Sequence, residues 1–249
     1  MNLIKKVISF DEIDSTNNFA HQYLSENVNT HDSISGTVIY ANFQTSGKGQ
    51  AGNKWESEKG KNLLLSIIIM PPHLIAEQQF IISKFISVSI ILFLRKLKIS
   101  AKIKWPNDIY IDNKKVGGIL IENVISGNYI KSSIIGIGLN INQKNFSKLL
   151  PNPISISLLN NKDYEVKDIF TGLTKEIDFQ FRKIQNNKYN FFNENYLKYL
   201  YRLNKRTLYK IDGTVVEAKI TGITEFGQLI VLCNNEERIF NFKEIEFVI

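Results

Sequence analysis

A chain of 249 residues that is 43% apolar and 22% charged is typical of a soluble globular protein with a sizeable core, in one large domain or in a large and a small one. The net charge of +7 fits a nucleic-acid partner, but the lysines are spread along the whole chain, so a nucleotide or an acidic protein fits as well. The single cysteine, Cys233, excludes an internal disulfide framework, and the N-terminal segment turns polar too soon for a signal peptide. We therefore expect a cytoplasmic protein.

The sequence of the first third of the chain predicts a helix followed by two strands. Residues 14–27 predict a helix with Ser15 or Thr16 as its N-cap, because the apolar residues that follow recur on one helical face. Residues 36–45 predict a strand that ends at a glycine-rich loop. Residues 62–70 form a continuous apolar run of strand length, which two prolines stop.

The most apolar segment predicts a long helix over residues 76–97. The apolar run inside it is shorter than the ~18 residues that a membrane span needs, and it contains Lys84. We therefore expect a helix buried in the protein and no membrane partner.

The sequence of the second half of the chain predicts three strands, then two helices, and then a segment of short β-rich runs. The strand-like runs cover 101–112, 114–125 and 130–142, and amphipathic helices follow near 165–185 and 189–202. From Thr207 onward, short β-rich runs are separated by glycines, which predicts a small barrel-like β domain. We expect domains over 1–203 and 204–249.

The stretch "QTSGKGQAGNKW" spaces Gly47, Gly49 and Gly52 as G-x-G-x-x-G. A dinucleotide-binding turn needs a helix directly after it and an acidic residue about 20 positions on, but here a polar turn and another strand follow. The chain also has neither a Walker loop nor the other protein-kinase motifs. A glycine loop between strands, with Lys48 and Lys54, favours an anion held by backbone amides. A flexible hairpin without a ligand is the alternative.

The stretch "KWPNDIYIDNKKVGGILIE" carries unusual residues for a strand. A proline inside a strand pattern predicts an edge or a bulge, which re-aims side chains near sites. Lys104 and Asp108 are four residues apart, so on an undistorted strand they face the same side. Gly117 and Gly118 allow a close approach of the backbone. The alternative is a tolerated strand irregularity with a solvated Lys104.

These two stretches, with "DSTN" upstream and "GIGLNIN" downstream, resemble the signature segments of biotin protein ligases, in the family's order and at compatible spacing. K-W-P-N-D followed by G-G-I-L-I-E is the specific part. The resemblance covers essentially the whole chain and implies an α+β fold: a mixed, mostly antiparallel sheet with helices, as in class II synthetases, plus a small C-terminal SH3-like β-barrel. Because "DSTN" begins at residue 14, it implies the monofunctional class, without an N-terminal DNA-binding domain.

The resemblance implies two reactions at one site. Biotin and MgATP form biotinyl-5′-AMP and pyrophosphate, and a lysine of a biotin carboxyl carrier protein domain of a carboxylase then attacks the mixed anhydride. Mg²⁺ is expected mainly on the ATP phosphates, with no protein ligand assigned. The protein would be a monomer or homodimer.

The same resemblance implies three sets of site residues. The biotin-binding set comprises Ser15, Thr16, Asn17, Gln44, Gly47, Lys48, Gly49, Gln50, Lys104, Gly118 and Gly136. The nucleotide-binding set comprises Lys48, Gln50, Trp55, Asn107, Lys115 and Asn140. The catalytic set comprises Lys104, Asp108 and Lys115. An attacking carboxylate and an α-phosphate repel each other, so lysines and amide donors in these sets suit the reaction.

Two alternatives have different requirements. Lipoate and octanoate protein ligases share the architecture but lack K-W-P-N-D. A nucleic-acid-binding module would need a basic recognition element, which we do not find in the sequence.

Within the glycine loop, many family members carry arginines where this chain has Lys48 and Gln50, so the loop offers fewer planar charged donors to an adenylate.

Overall fold

A computed structural model describes residues 3–27, 34–71 and 73–249 of the chain. Its larger sheet has seven strands, in the order β1-β2-β3-β7-β6-β5-β4. The strands are β1 (Lys6–Phe10), β2 (Thr37–Ala41), β3 (Leu63–Ile69), β4 (Lys102–Lys104), β5 (Asp108–Ile111), β6 (Lys114–Ser126) and β7 (Tyr129–Leu139). Only the β1–β2 pair is parallel, so the sheet is mixed and mostly antiparallel, as predicted.

Helices cover both faces of this sheet. They are α1 (Thr16–Glu26), α2 (Phe80–Lys96), α3 (Ile156–Asn160), α4 (Val166–Gln185) and α5 (Tyr189–Tyr199), with 3₁₀ turns at Gln50–Gly52 and Ala76–Gln78. Successive side chains of a strand point to opposite faces. Leu65 and Ile67 of β3 therefore join the large core under α2, whereas Ser66 and Ile68 face α1. Burial on both faces explains why β3 is apolar almost throughout.

Helix α2 is the long apolar helix that the sequence predicts. The stretch Ala76–Lys96 is long and apolar enough to cross a membrane by composition, yet 72% of its most apolar window is buried inside the protein. It packs against α4 and α5 and beneath the sheet. The prediction of a buried core helix is confirmed.

A second, antiparallel sheet forms the C-terminal part. Its order is β11-β10-β9-β8-β12, from β8 (Arg206–Ile211), β9 (Thr214–Ile223), β10 (Leu229–Cys233), β11 (Glu236–Phe240) and β12 (Ile245–Phe247). The large core continues from the first sheet into this one, through residues such as Tyr209 and Leu229. Closure of the five strands into a barrel stays a prediction.

The predicted strand over 101–112 is wrong as a single element. The chain turns back at Trp105 and Pro106, which are joined by a cis peptide bond, so β4 and β5 form an antiparallel hairpin. Proline has no amide proton for a ladder, and here it occupies the turn. Lys104 and Asp108 still share a face, because they are direct partners across the hairpin and not because they belong to one strand.

Other boundaries also differ from the sequence predictions. Strand β2 ends at Ala41 and α5 ends at Tyr199, each a few residues before its predicted end. The sequence analysis missed β1, β12 and the short α3. These elements are short, and two of them are edge strands, so their local patterns are weak.

Candidate active site

A cleft of about 820 Å³ opens on the α1 face of the larger sheet. The sheet forms its floor, and the glycine loop, the β4–β5 hairpin and the C-terminal segment form its walls. Its lining includes most of the predicted site: Ser15, Thr16, Asn17, Gln44, Lys48, Gly49, Gln50, Trp55, Lys104, Asn107, Asp108, Lys115, Gly118 and Gly136. The sequence segments that were singled out separately therefore meet in one place.

Glycines that pair across neighbouring strands form part of the floor of the cleft and leave room above it for other side chains. Gly118 of β6 pairs with Gly138 of β7, which pairs with Leu64 of β3. A Cβ atom on Gly138 would lie 2.5 Å from the Trp55 ring, and one on Gly136 would lie 2.4 Å from Oδ1 of Asn17. A side chain at Gly138 would displace Trp55, and one at Gly136 would displace Asn17. The site therefore requires glycine at both positions.

One end of the cleft carries uncharged hydrogen-bonding groups at the start of α1. The Ser15 side chain caps the helix by accepting from the backbone amide of Asn18, as its predicted N-cap role requires. The backbone amide and the hydroxyl of Thr16 donate to Oε1 of Gln44, at 2.7 and 2.9 Å. Ser66 adds a hydroxyl 2.7 Å from that of Thr16. This end suits a neutral, polar ligand group.

Asn17 extends the same network to a carboxylate. Its Nδ2 donates to Oε2 of Glu122 at 2.6 Å, and its Oδ1 lies 2.5 Å from the Ser66 hydroxyl. Nε2 of His21 lies 3.2 Å from the same carboxylate oxygen. Asn17 is thereby held on both sides of its amide.

The glycine loop forms a closed hairpin over the cleft. The amide of Trp55 donates to the carbonyl of Gly47, and the amide of Gly49 donates to the carbonyl of Asn53. Trp55 then lies across the glycine floor, with the Lys115 ammonium 5.9 Å from its ring centroid. Within the described part of the chain, its buried indole N–H has no hydrogen-bond partner. An unpaired buried donor is costly, so a ligand acceptor here would be favourable.

The other end of the cleft carries charge. Asp108 pairs across the hairpin with Lys104, and its carboxylate lies 2.6 Å from the ammonium of Lys115. An extra residue in β6, between the partners of Ile109 and Tyr110, is a bulge. This bulge brings Lys115 and Gly118 to the same side, although they are three residues apart. The sequence analysis predicted an edge or a bulge at Pro106; the strand that Pro106 follows, β4, is the edge of the sheet, whereas the bulge lies in β6.

Lys104 is largely desolvated and lies among rings. Its ammonium is 5.3 Å from the ring centroid of Tyr110 and 4.7 Å from that of Phe247. Burial lowers the pKa of Lys104, the charge of Asp108 opposes this shift, and Lys115 and Arg202 add to it. A cation held in a dry, ring-lined position interacts strongly with any charge that enters the cleft.

The β4–β5 hairpin is held from behind. Nε1 of Trp105 donates to the carbonyl of Gly227 in the second sheet at 2.7 Å, and the hydroxyl of Tyr196 donates to the carbonyl of Pro106 at 3.0 Å. The side-chain Nδ2 of Asn107 donates to the carbonyl of Ile119 at 2.5 Å. The hairpin therefore has little freedom to move Lys104 or Asp108.

Two predicted residues do not line the cleft. Gly47 lies in the loop, but only its neighbours reach the opening. Asn140 is buried, and its side-chain amide donates to the carbonyl of Ile154 at 3.2 Å, which ties two loops together. Its nucleotide-binding role stays a prediction.

Several lining or supporting residues were missed by the sequence analysis. They are Ser66, Glu122 and His21 at the polar end and Phe242, Lys243, Glu246 and Phe247 in the C-terminal segment. Glu122 lies inside the quoted G-G-I-L-I-E motif and could have been found there. The C-terminal residues had no signal, since nothing in their local sequence indicates which strand ends they approach.

Comparison with known proteins identifies the family. Residues 9–140, more than half of the chain, match the model of the biotin/lipoate A/B protein ligase family. The chain is 31% identical over 170 residues to the bifunctional ligase/repressor BirA of Bacillus subtilis, and 34% identical over 118 residues to the biotin–protein ligase of Homo sapiens. These matches cover 68% and 44% of the chain but only 46% and 16% of the two relatives. The chain thus spans about half the length of the Bacillus protein.

Among solved structures, a biotin protein ligase of Aquifex aeolicus in complex with biotin and ATP superposes with a TM-score of 0.79 at 25% identity, covering 98% of both chains. The matched family region contains the start of α1, the glycine loop, the β4–β5 hairpin and the glycine floor, which are the parts that build the cleft. This chain belongs to the biotin/lipoate A/B protein ligase family.

Proposed function

We propose that the protein activates biotin with ATP to biotinyl-5′-AMP and transfers the biotinyl group to a lysine of a biotin carboxyl carrier protein domain. One observation carries the proposal: a single cleft has an uncharged hydrogen-bonding end and a lysine-rich end, joined by a glycine-lined floor. Biotin has a neutral ureido ring at one end and a carboxylate at the other. The likeness to the Aquifex protein, which was solved in complex with biotin and ATP, supports the same function.

The polar end suits the ureido ring. Its carbonyl needs donors and its two N–H groups need acceptors, and hydroxyl and amide side chains supply both. Thr16, Asn17 and Gln44 already form one network, so they are held in place before a ligand arrives. Preorganised groups lose less entropy on binding.

The charged end suits adenylate formation. The biotin carboxylate oxygen attacks the α-phosphorus of ATP, a P–O bond to pyrophosphate breaks, and negative charge gathers around the reacting oxygens. Lys104 approaches from the β4–β5 hairpin, Lys115 from β6 and Lys48 from the glycine loop. Such fixed cations in a water-poor site contribute strongly to the stability of the transition state.

Mg²⁺ fits this end as an ion carried by ATP. Among the described residues, no group of three or more His, Cys, Asp or Glu side chains stands together as a metal site. Asp108 is the carboxylate nearest to the lysines, and it is paired with Lys115. The residues present therefore fit an ion bound chiefly by phosphate oxygens, which would reduce their charge during attack.

Transfer needs a neutral acceptor amine. The amine nitrogen attacks the carbonyl carbon of the adenylate, an amide bond forms, the C–O bond to the phosphate breaks, and AMP leaves with its negative charge. Asp108 is the proposed acceptor of the amine proton, once an incoming lysine competes for its ion pair with Lys115.

The test is the release of pyrophosphate from MgATP with and without biotin. We expect release only with biotin, and incorporation of biotin into a purified carrier domain. Lipoate and octanoate are the matched alternative substrates, because relatives within the same family use the same architecture. Turnover with lipoate or octanoate and none with biotin would overturn the proposal in favour of the lipoate-ligase alternative.

Finer assignments belong to the same proposal. We infer a class II synthetase-like catalytic domain over 1–203 and an SH3-like module over 204–249; the antiparallel larger sheet and the five short strands support these assignments. The proposed setting is cytoplasmic, and the proposed assembly is a monomer or homodimer with no DNA or membrane partner.

A further inference from the structure

Glu122 occupies a position from which it contacts two residues of α1. Its Oε2 accepts from Nδ2 of Asn17 at 2.6 Å and lies 3.2 Å from Nε2 of His21. Asn17 and His21 are four residues apart, so they project from the same side of the helix. Glu122 follows Leu120 by two residues on β6, and Leu120 lines the cleft.

The hydroxyl groups at this end of the cleft do not by themselves fix the direction of their hydrogen bonds. The Ser66 oxygen lies 2.7 Å from the Thr16 hydroxyl and 2.5 Å from Oδ1 of Asn17. A hydroxyl has one proton, so Ser66 donates to only one of these oxygens at a time. The Thr16 hydroxyl donates to Oε1 of Gln44 and can only accept from Ser66, so the Ser66 proton could go either to Thr16 or to Asn17.

A carboxylate removes this ambiguity because it can only accept. With Glu122 ionised, Nδ2 of Asn17 must face it, and Oδ1 must then face Ser66. The Ser66 proton then goes to Oδ1 of Asn17 and not to Thr16, whose own hydroxyl proton goes to Oε1 of Gln44. The donors therefore follow one order, with Ser66 donating to Asn17 and Asn17 donating to Glu122.

We propose that Glu122 is a positioning residue that fixes the orientation of the Asn17 amide and, through it, the direction of the Ser66 hydroxyl, and so the pattern of donors and acceptors that the cleft offers to the ureido ring. The proposal rests on the function proposed above. His21 contacts the same carboxylate oxygen of Glu122 as Asn17 does. Glu122 acts through Asn17 and Ser66, at the biotin end of the cleft.

The decisive variant is Glu122→Gln. A glutamine can donate as well as accept, so Asn17 can turn its oxygen away from Ser66, and the Ser66 hydroxyl can then donate to Thr16. We expect the KM for biotin to rise about tenfold, with kcat within about twofold and the KM for ATP unchanged, because ground-state binding at one end is weakened. Glu26→Gln is the matched control, since Glu26 is an exposed carboxylate of α1 that accepts from Gln22.

A double-mutant cycle separates positioning from general damage. If Glu122 acts through Asn17, Glu122→Gln should add nothing to Asn17→Ala, and the two variants should be strongly non-additive. Additive effects, a raised KM for ATP, or a Glu122→Gln variant equal to Glu26→Gln would each overturn the proposal.

A measurement without substrate keeps the proposal testable by itself. The side-chain amide protons of Asn17, followed by NMR, should shift upfield in Glu122→Gln, because their charge-assisted bond is lost, and should stay in place in Glu26→Gln. If Glu122→Gln does not fold, the same NMR measurement of the Asn17 side-chain amide protons is made on Glu122→Asp and on His21→Ala. Unchanged Asn17 resonances overturn this inference, whereas a wild-type protein that is inactive with biotin overturns only the proposed function.

Discussion

Lys104 has surroundings that are unusual for a lysine side chain, between two aromatic rings and close to Asp108. We expect Lys104→Ala to lower the rate of biotin-dependent pyrophosphate release about 100-fold or more, because one lost contact to developing charge has an effect of this size. Lys54→Ala is the control, since Lys54 also lines the cleft but is exposed on the glycine loop. Equal rates for the two variants would show that Lys104 only fills space.

The lowered pKa of Lys104 also predicts a pH dependence. A lysine is charged below its pKa, so a lowered pKa means that the charge is lost at a lower alkaline pH than for an ordinary lysine. We expect kcat/KM for adenylation to fall as the pH rises through the lowered pKa of Lys104. In Lys104→Arg the guanidinium stays charged, and the fall should move to higher pH. A fall at the same pH in both proteins would assign it to another group.

At the scale of the element, the glycine hairpin depends on the glycine floor beneath Trp55. A methyl group on Gly138 would lie 2.5 Å from the Trp55 ring, so Gly138→Ala should displace the ring and open the loop. We expect trypsin to cleave after Lys48 and Lys54 about tenfold faster than in the wild type, because cleavage follows local opening. Biotin with ATP should protect the wild-type loop.

Gly222→Ala is the matched substitution for this experiment. Gly222 also lies in a strand, and the nearest atom to an added methyl group is 3.6 Å away, an ordinary contact. Cleavage of Gly138→Ala at the rate of Gly222→Ala would mean that Trp55 can shift while the hairpin stays closed.

At the scale of the whole molecule, the second sheet contributes residues to the surroundings of the cleft on the first sheet. Phe247 of β12 lies against Lys104, and Trp105 of the hairpin donates to Gly227. We expect Phe247→Leu to slow adenylation about 3- to 10-fold, since a desolvated cation–π contact contributes roughly 0.5–2 kcal/mol. Phe226→Leu removes an exposed ring in the turn between β9 and β10 and should have no effect. Equal rates for the two variants would show that the second sheet acts only as a support.

Local patterns in the sequence were sufficient for much of the fold and part of the site. The Ser15 cap, the apolar run of β3 and the long helix α2 follow from short-range propensities and periodicity, and all three agree with the structure. The glycine loop and K-W-P-N-D were found as unusual residue combinations. Their resemblance to one family predicted that the scattered segments meet at one cleft.

Tertiary structure decided which distant residues meet and how they face each other. Lys104 and Asp108 oppose each other because the chain reverses at Pro106, and Lys115 reaches Asp108 through a bulge. Phe247 reaches Lys104 through packing between two sheets, which depends on the shared core and on no local pattern.

At the polar end of the cleft, too, some features follow from local sequence and others from tertiary structure. The sequence by itself predicted a helix start at Ser15 or Thr16, and its resemblance to the family predicted Thr16 and Asn17 as ligand-binding residues. It contained no sign that Ser66 and Glu122 complete their network, because the packing of α1 on the sheet brings Asn17 to residues that are 49 and 105 positions away. Hydrogen-bond partners are set by geometry after folding, whereas helix caps and strand runs are set by neighbours in the chain.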